Sequence, residues 1–183
     1  MYFSYICFLI LLTSCSSSPF YIQKVDEIFG KESKKICMEE NLELMGYGGS
    51  MPDAIYEISP YYRVQRELDL NEARELMIRI CERLRDAVNA SEELVPYLRP
   101  YPFPGSNIGA GILCVDETNS IRGYGCAYLG TGGVSSINQI KGKLCYNNYN
   151  PRTKGFERYH TESYEEALAI IRGERPAPEP TPH

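Results

Sequence analysis

Tryptophan is absent from this chain of 183 residues, and histidine occurs only twice. An aromatic binding surface must therefore be built from the fifteen Tyr and six Phe. A paired-histidine metal centre is not expected, because His183 ends the chain and leaves His160 alone. None of the seven cysteines forms a C-x-x-C pair, so neither a zinc ribbon nor a dithiol redox motif is supported. An excess of positive charge is also lacking: 24 acidic against 19 basic residues give a net charge of -5, with no general attraction to phosphate backbones, and nucleic acid is not an expected partner. No apolar run reaches the roughly 20 residues that a spanning helix needs. What remains, 43% hydrophobic and 23% charged, is an ordinary globular composition with length for one core.

The strongest local signal is at the amino end. From Tyr5 to Leu12 the chain carries Ile6, Phe8, Leu9, Ile10, Leu11 and Leu12 without a charge, then turns to Ser and Thr. This is the size of a signal-peptide core. Leu12, Thr13, Ser14 and Cys15 resemble the lipobox of bacterial lipoproteins, an apolar residue and two small ones before the cysteine that is acylated and becomes the first residue of the mature chain. The stretch "MYFSY" departs from that pattern in having no Lys or Arg, so the α-amino group alone supplies the positive charge. The resemblance implies a signal peptide over 1–14, a lipid bilayer reached through acylated Cys15, and, because Ser16 rather than Asp follows, the outer membrane. Two or more acyl chains suffice for stable attachment, at about 0.8 kcal/mol per buried methylene.

Residues 15–20 read as a tether, 21–173 as a single α+β domain and 174–183 as a disordered proline-rich tail. Ile22, Val25, Ile28 and Phe29 recur at helical spacing up to Gly30, and a second stretch runs from Ser33 to Asn41, which predicts one broken helix. "LMGYGGSM", residues 44–51, predicts a glycine-rich turn. No Lys-Ser/Thr pair follows it, so it is not a phosphate loop, and no cofactor is expected. "AIYEISPYYRVQRE", residues 54–67, suits an edge strand or two short strands around its proline. Asp69 and Glu72 then make a capping pattern before an amphipathic helix of about five turns, with Arg74, Glu75, Arg79, Glu82 and Arg85 mostly on its solvated side.

Further along, residues 108–116, 122–129 and 137–146 read as a three-stranded antiparallel meander, followed by a short strand near Phe156 to His160. Ser163 and Glu166 cap a short helix that ends at Gly173. The expected fold is α+β: an antiparallel sheet of about four to five strands against one long amphipathic helix, with a shorter N-terminal and a short C-terminal helix.

Three constellations invite chemistry. Pro96, Pro100, Pro102 and Pro104 space the rings of Tyr97, Tyr101 and Phe103, which either pack onto the core or offer a stacking surface for a glycan or peptide. Cys37, Cys81, Cys114, Cys126 and Cys145 are odd in number once Cys7 is removed and Cys15 lipidated. Buried free thiols are the simpler reading, and a Cys114–Cys126 disulfide about a turn at Ser120 is the alternative, with Cys145 on the same rung. His160 near Ser163 suggests a small hydrolase only by proximity in sequence.

In order, "MGYGGSM", "LDLNEAR", "LRPYPFPGSNI" and "ESYEEALAIIRG" resemble an uncharacterised family of small lipoproteins from chlamydia-like and other intracellular bacteria, over residues 15–173. That resemblance implies location and fold only. The leading expectation is a non-enzymatic envelope lipoprotein with a structural or protein-contact role, its partner an envelope or host protein. A glycan- or peptide-binding module through Tyr97, Tyr101 and Phe103 comes second, and a hydrolase using His160 third.

Overall fold

The computed structural model describes residues 18–115, 136–150, 152–153 and 155–176. Cys15, Cys126, the strand expected over 122–129 and most of the expected tail lie outside them. The first element, α1 (Phe20–Glu40), is one unbroken helix. Tyr21, Val25, Phe29, Ser33 and Ile36 recur on its buried side, while Gly30 meets nothing within 4 Å. The expected break at Gly30 is thus corrected, since a glycine on the solvent side costs helix propensity of about 1 kcal/mol without interrupting the buried stripe. Expected to be the shorter helix, α1 is as long as the central one. Asn41 ends it in the left-handed conformation at φ 53°, its N–H donating to the Cys37 carbonyl.

The chain turns directly into β1 (Leu42–Ser50), so the glycine-rich segment is a strand and not a turn. β1 pairs antiparallel with β2 (Glu57–Val64) from Leu42↔Val64 to Ser50↔Glu57, with a bulge between Leu44 and Gly46. Gly46, Gly48 and Gly49 carry no positive φ, so pairing with β2 overrides their turn composition. β2 is an interior strand despite Pro60. Ile58 and Pro60 point their backbone groups to the same edge by alternation, and Ile58 O accepts from Gly109 N there. The bond that Pro60 cannot donate therefore falls between the isolated bridge Ile58↔Ile108 and the first full pair, Tyr61↔Gly111.

α2 (Leu70–Asn89) begins in the expected capping box: Asp69 accepts from Asn71 N and Glu72 N, and Glu72 accepts in return from Asp69 N. From its end the chain runs through two single turns of 3-10 helix, Val95–Tyr97 and Gly105–Asn107, into β3 (Gly111–Cys114). Because α2 carries the chain back along the sheet, β3 pairs parallel with β2, a departure from the all-antiparallel expectation. β3 pairs antiparallel with β4 (Ser136–Ile140), which returns through Lys141 and Gly142 into β5 (Lys143–Asn150). Residues 137–146, expected as one strand, are therefore a tight hairpin. Lys141 at φ 48° and Gly142 at φ 74° give the left-handed pair that a two-residue turn between twisted strands requires.

β5 pairs with β6 (Gly155–Ser163), which runs without a break into α3 (Tyr164–Ile171). The second capping box is also present, with Ser163 and Glu166 bonded reciprocally, and Gly173 follows at φ 72°. The described residues form a six-stranded sheet in the order β1-β2-β3-β4-β5-β6, one strand more than the upper expectation. Ile58, Tyr62, Val64, Ile112, Ile137, Leu144 and Tyr146 share one core with Val25, Phe29, Leu76, Met77, Leu84 and Ala167 of the helices. All three helices therefore lie on one face of the sheet, and no described helix covers the other.

Candidate functional site

Strand alternation decides what each face carries. Tyr61, Gly111 and Asn138 are paired across β2, β3 and β4, and Leu113, Ser136, Asn147 and Arg158 across β3 to β6, so these side chains share the face away from the helices. They line a groove of about 520 Å³ that Met45 and Phe156 also wall. Gly111 fixes its geometry: a Cβ there would stand 2.8 Å from Tyr61 Cδ1 and 3.1 Å from Asn138 Oδ1. Only glycine lets the phenol ring and the amide meet over the strand. Tyr61 and Phe156 are each half exposed, the first lying over Gly111 and the second meeting Tyr149 in a T-shaped contact at 5.8 Å between ring centroids.

Beside Phe156, Arg158 is held from two sides. Its Nε donates to Asn147 Oδ1 at 3.0 Å and its Nη1 to Thr161 Oγ1 at 3.3 Å. Asn147 is itself buried and donates through Nδ2 to Ser136 Oγ at 3.1 Å. The guanidinium thus stands oriented at the rim, and no carboxylate pairs with it among the described residues.

On the helix side, a polar cluster is sealed under α2. Arg74 Nε donates to Glu162 Oε1 at 2.8 Å, Tyr146 Oη donates to the same oxygen at 2.5 Å, and Arg74 Nη1 donates to Asn71 Oδ1 at 2.6 Å. Burial, then the Glu162 charge beside it, drives the Tyr146 phenol far above its ordinary value. Arg74 is fully buried, which corrects its assignment to the solvated side of α2. The helical steps to Met77, Ile78 and Cys81, all buried, carried the signal for its true position. His160 lies against this cluster, its Nε2 3.6 Å from Glu162 Oε2, beside a cleft of about 360 Å³ bounded by Glu166 and Arg175.

The expected site residues are dispersed. Phe103 is fully buried in the core, Tyr97 stacks on Tyr21 at 4.9 Å between ring centroids, and Tyr101 stands 56% exposed. Ser163, near His160 in sequence, points to the opposite face of β6 and gives its hydroxyl to Glu166 Oε2 at 2.9 Å. Cys114 is a buried free thiol, raised to about 12 by burial, and Cys126 lies outside the described residues. Cys145 pairs across the sheet with Asn138, and Asn138 with Gly111, so Cys114 does not share its rung. Cys81, also buried, donates to Gln139 Oε1 at 3.3 Å. Among the described residues no group of three or more His, Cys, Asp or Glu side chains is placed to hold a metal ion, and no helix is long and apolar enough to cross a membrane.

No family model, no curated protein and no solved structure matches this chain.

Proposed function

We propose that this chain is a lipoprotein of the bacterial envelope, held to the membrane through acylated Cys15, whose α+β body binds a ligand or partner without catalysing a reaction. The observation that carries the binding role is the one-sided layering of the described residues: three helices on one face of the sheet, and a groove with half-exposed rings and hydrogen-bonding side chains on the other. A sheet face of that kind, unlike a solvated one, offers aromatic area at little cost in conformational entropy, because each ring has few torsions to fix.

The anchor reading rests on the uncharged run from Tyr5 to Leu12 and on Leu12-Thr13-Ser14-Cys15. Helix α1 starts at Phe20, and five residue steps extend at most roughly 18 Å, so acylation at Cys15 keeps the body next to the head groups. Metabolic labelling with a palmitate analogue tests it. The native chain should take the label and accumulate as an unprocessed precursor under globomycin, and Cys15→Ser should leave the membrane fraction. Unlabelled native protein, or a Cys15→Ser chain that stays on membranes, defeats the anchor.

A further inference from the structure

We infer that the groove on the sheet face away from the described helices is a binding site for a carboxylate-bearing oligosaccharide; this rests on the binding role proposed above and names its ligand class. The walls supply what a sugar chain needs. Tyr61 and Phe156 leave about half of their surface to meet the axial C–H groups of a pyranose, and Asn138 has an amide, donor and acceptor together, for a pair of vicinal hydroxyls. Among the described residues of the lining Arg158 is the only charged one, and its fork is set by Asn147 and Thr161. A guanidinium so held, with no carboxylate paired to it among the described residues, matches the planar oxygens of a carboxylate.

Shape favours a glycan over the other polymers. A volume of about 520 Å³ lies within the range of small-ligand sites, roughly 300–1,000 Å³, and not with flat protein contacts. An extended peptide would need backbone partners, and the floor strands β2 to β5 are interior strands whose edges already pair with neighbours. From Tyr61 on β2 to Arg158 on β6 the site crosses four strand spacings, roughly 19 Å, which suits several linked sugars more than one.

The test uses full-length protein in detergent micelles and calorimetric titration. The probes are three carboxylate-bearing oligosaccharides of different backbone (an oligogalacturonate, a hyaluronan hexamer and sialyllactose), each also after reduction of its carboxyls to alcohols, together with hexaglutamate. At least one acidic oligosaccharide should bind, its reduced form at least tenfold more weakly. Arg158→Gln should erase that difference, and Tyr61→Ala should weaken both forms at least fivefold. Both side chains are exposed, and unchanged melting curves confirm that the variants fold. Equal affinity for acidic and reduced forms overturns the carboxylate, and equal affinity for hexaglutamate overturns the saccharide. No binding by any sugar, with a photo-crosslinker at position 61 capturing a protein in intact cells, overturns the ligand class while the face remains a binding face. No sugar binding and no crosslink overturns both readings.

Discussion

Arg74 on α2 and Glu162 on β6 form an ion pair with Nε 2.8 Å from Oε1, and both side chains are almost wholly shielded from water. Such a pair holds helix to sheet at one register, because either charge alone would be buried without compensation. Arg74→Ala, which leaves Glu162 buried with only Tyr146 as donor, should lower stability by about 3–5 kcal/mol in urea unfolding. Arg74→Met with Glu162→Leu and Tyr146→Phe should recover most of that loss, since apolar side chains remove the desolvation costs together and leave no buried hydroxyl without its acceptor.

Acid should weaken the start of α3. Backbone donation from Ser163, then Arg175 and the Ser163 hydroxyl, hold the Glu166 carboxyl down to about 2. Its folded value lies below the ordinary 4.5, so its contribution is fully present above pH 4.5 and is lost as pH falls toward about 2. Glu166→Gln should flatten the stability profile in that window and leave its shape above pH 5 unchanged, as followed by thermal melting across pH.

Two neighbouring glycines on β1 should behave differently. A Cβ on Gly48 meets nothing within 4 Å, whereas one on Gly49 runs into the carbonyl oxygen of Glu57, which is backbone and has no room to move. Gly48→Ala should change stability by no more than about 0.5 kcal/mol. Gly49→Ala should cost about 1–3 kcal/mol through overpacking and backbone displacement. Chemical denaturation of the two single variants compares them directly.

The β4–β5 turn offers a gain. Lys141 pays the steric cost of a left-handed backbone without the side-chain hydrogen bonding that makes it easy for Asn. Lys141→Asn should stabilise by about 0.5–1 kcal/mol, and Gly142→Val should destabilise by about 1–2 kcal/mol. A rise in melting temperature for the first and a fall for the second would establish the turn.

What could be read from the sequence was local. Asp69 with Glu72 and Ser163 with Glu166 announce their helices because each cap is complete within four residues. β1 was hidden because glycines spell a turn by composition and become a strand only through pairing with β2. The β4–β5 hairpin was hidden because apolar residues flank Lys141 and Gly142 on both sides and blur the boundary. The groove was hidden for a third reason. Tyr61, Asn138 and Arg158 each look like solvated strand residues, and only the sheet order brings them to one face. Charge type assigns Arg74 outward, although its helical position beside Met77 and Cys81 places it inside.

The parallel junction of β2 and β3 has a consequence for assembly. Every other neighbouring pair in the sheet runs antiparallel, and β1–β2, β4–β5 and β5–β6 are joined by short connections that zip early. β2 and β3 meet only after α2 and the proline-rich crossing have been laid down between them, so the loop-closure entropy of that span is met before any ladder bond forms across it. That span is the longest connection between neighbouring strands of the sheet, and the groove, whose walls lie on both sides of the β2–β3 junction, is complete only once it has closed.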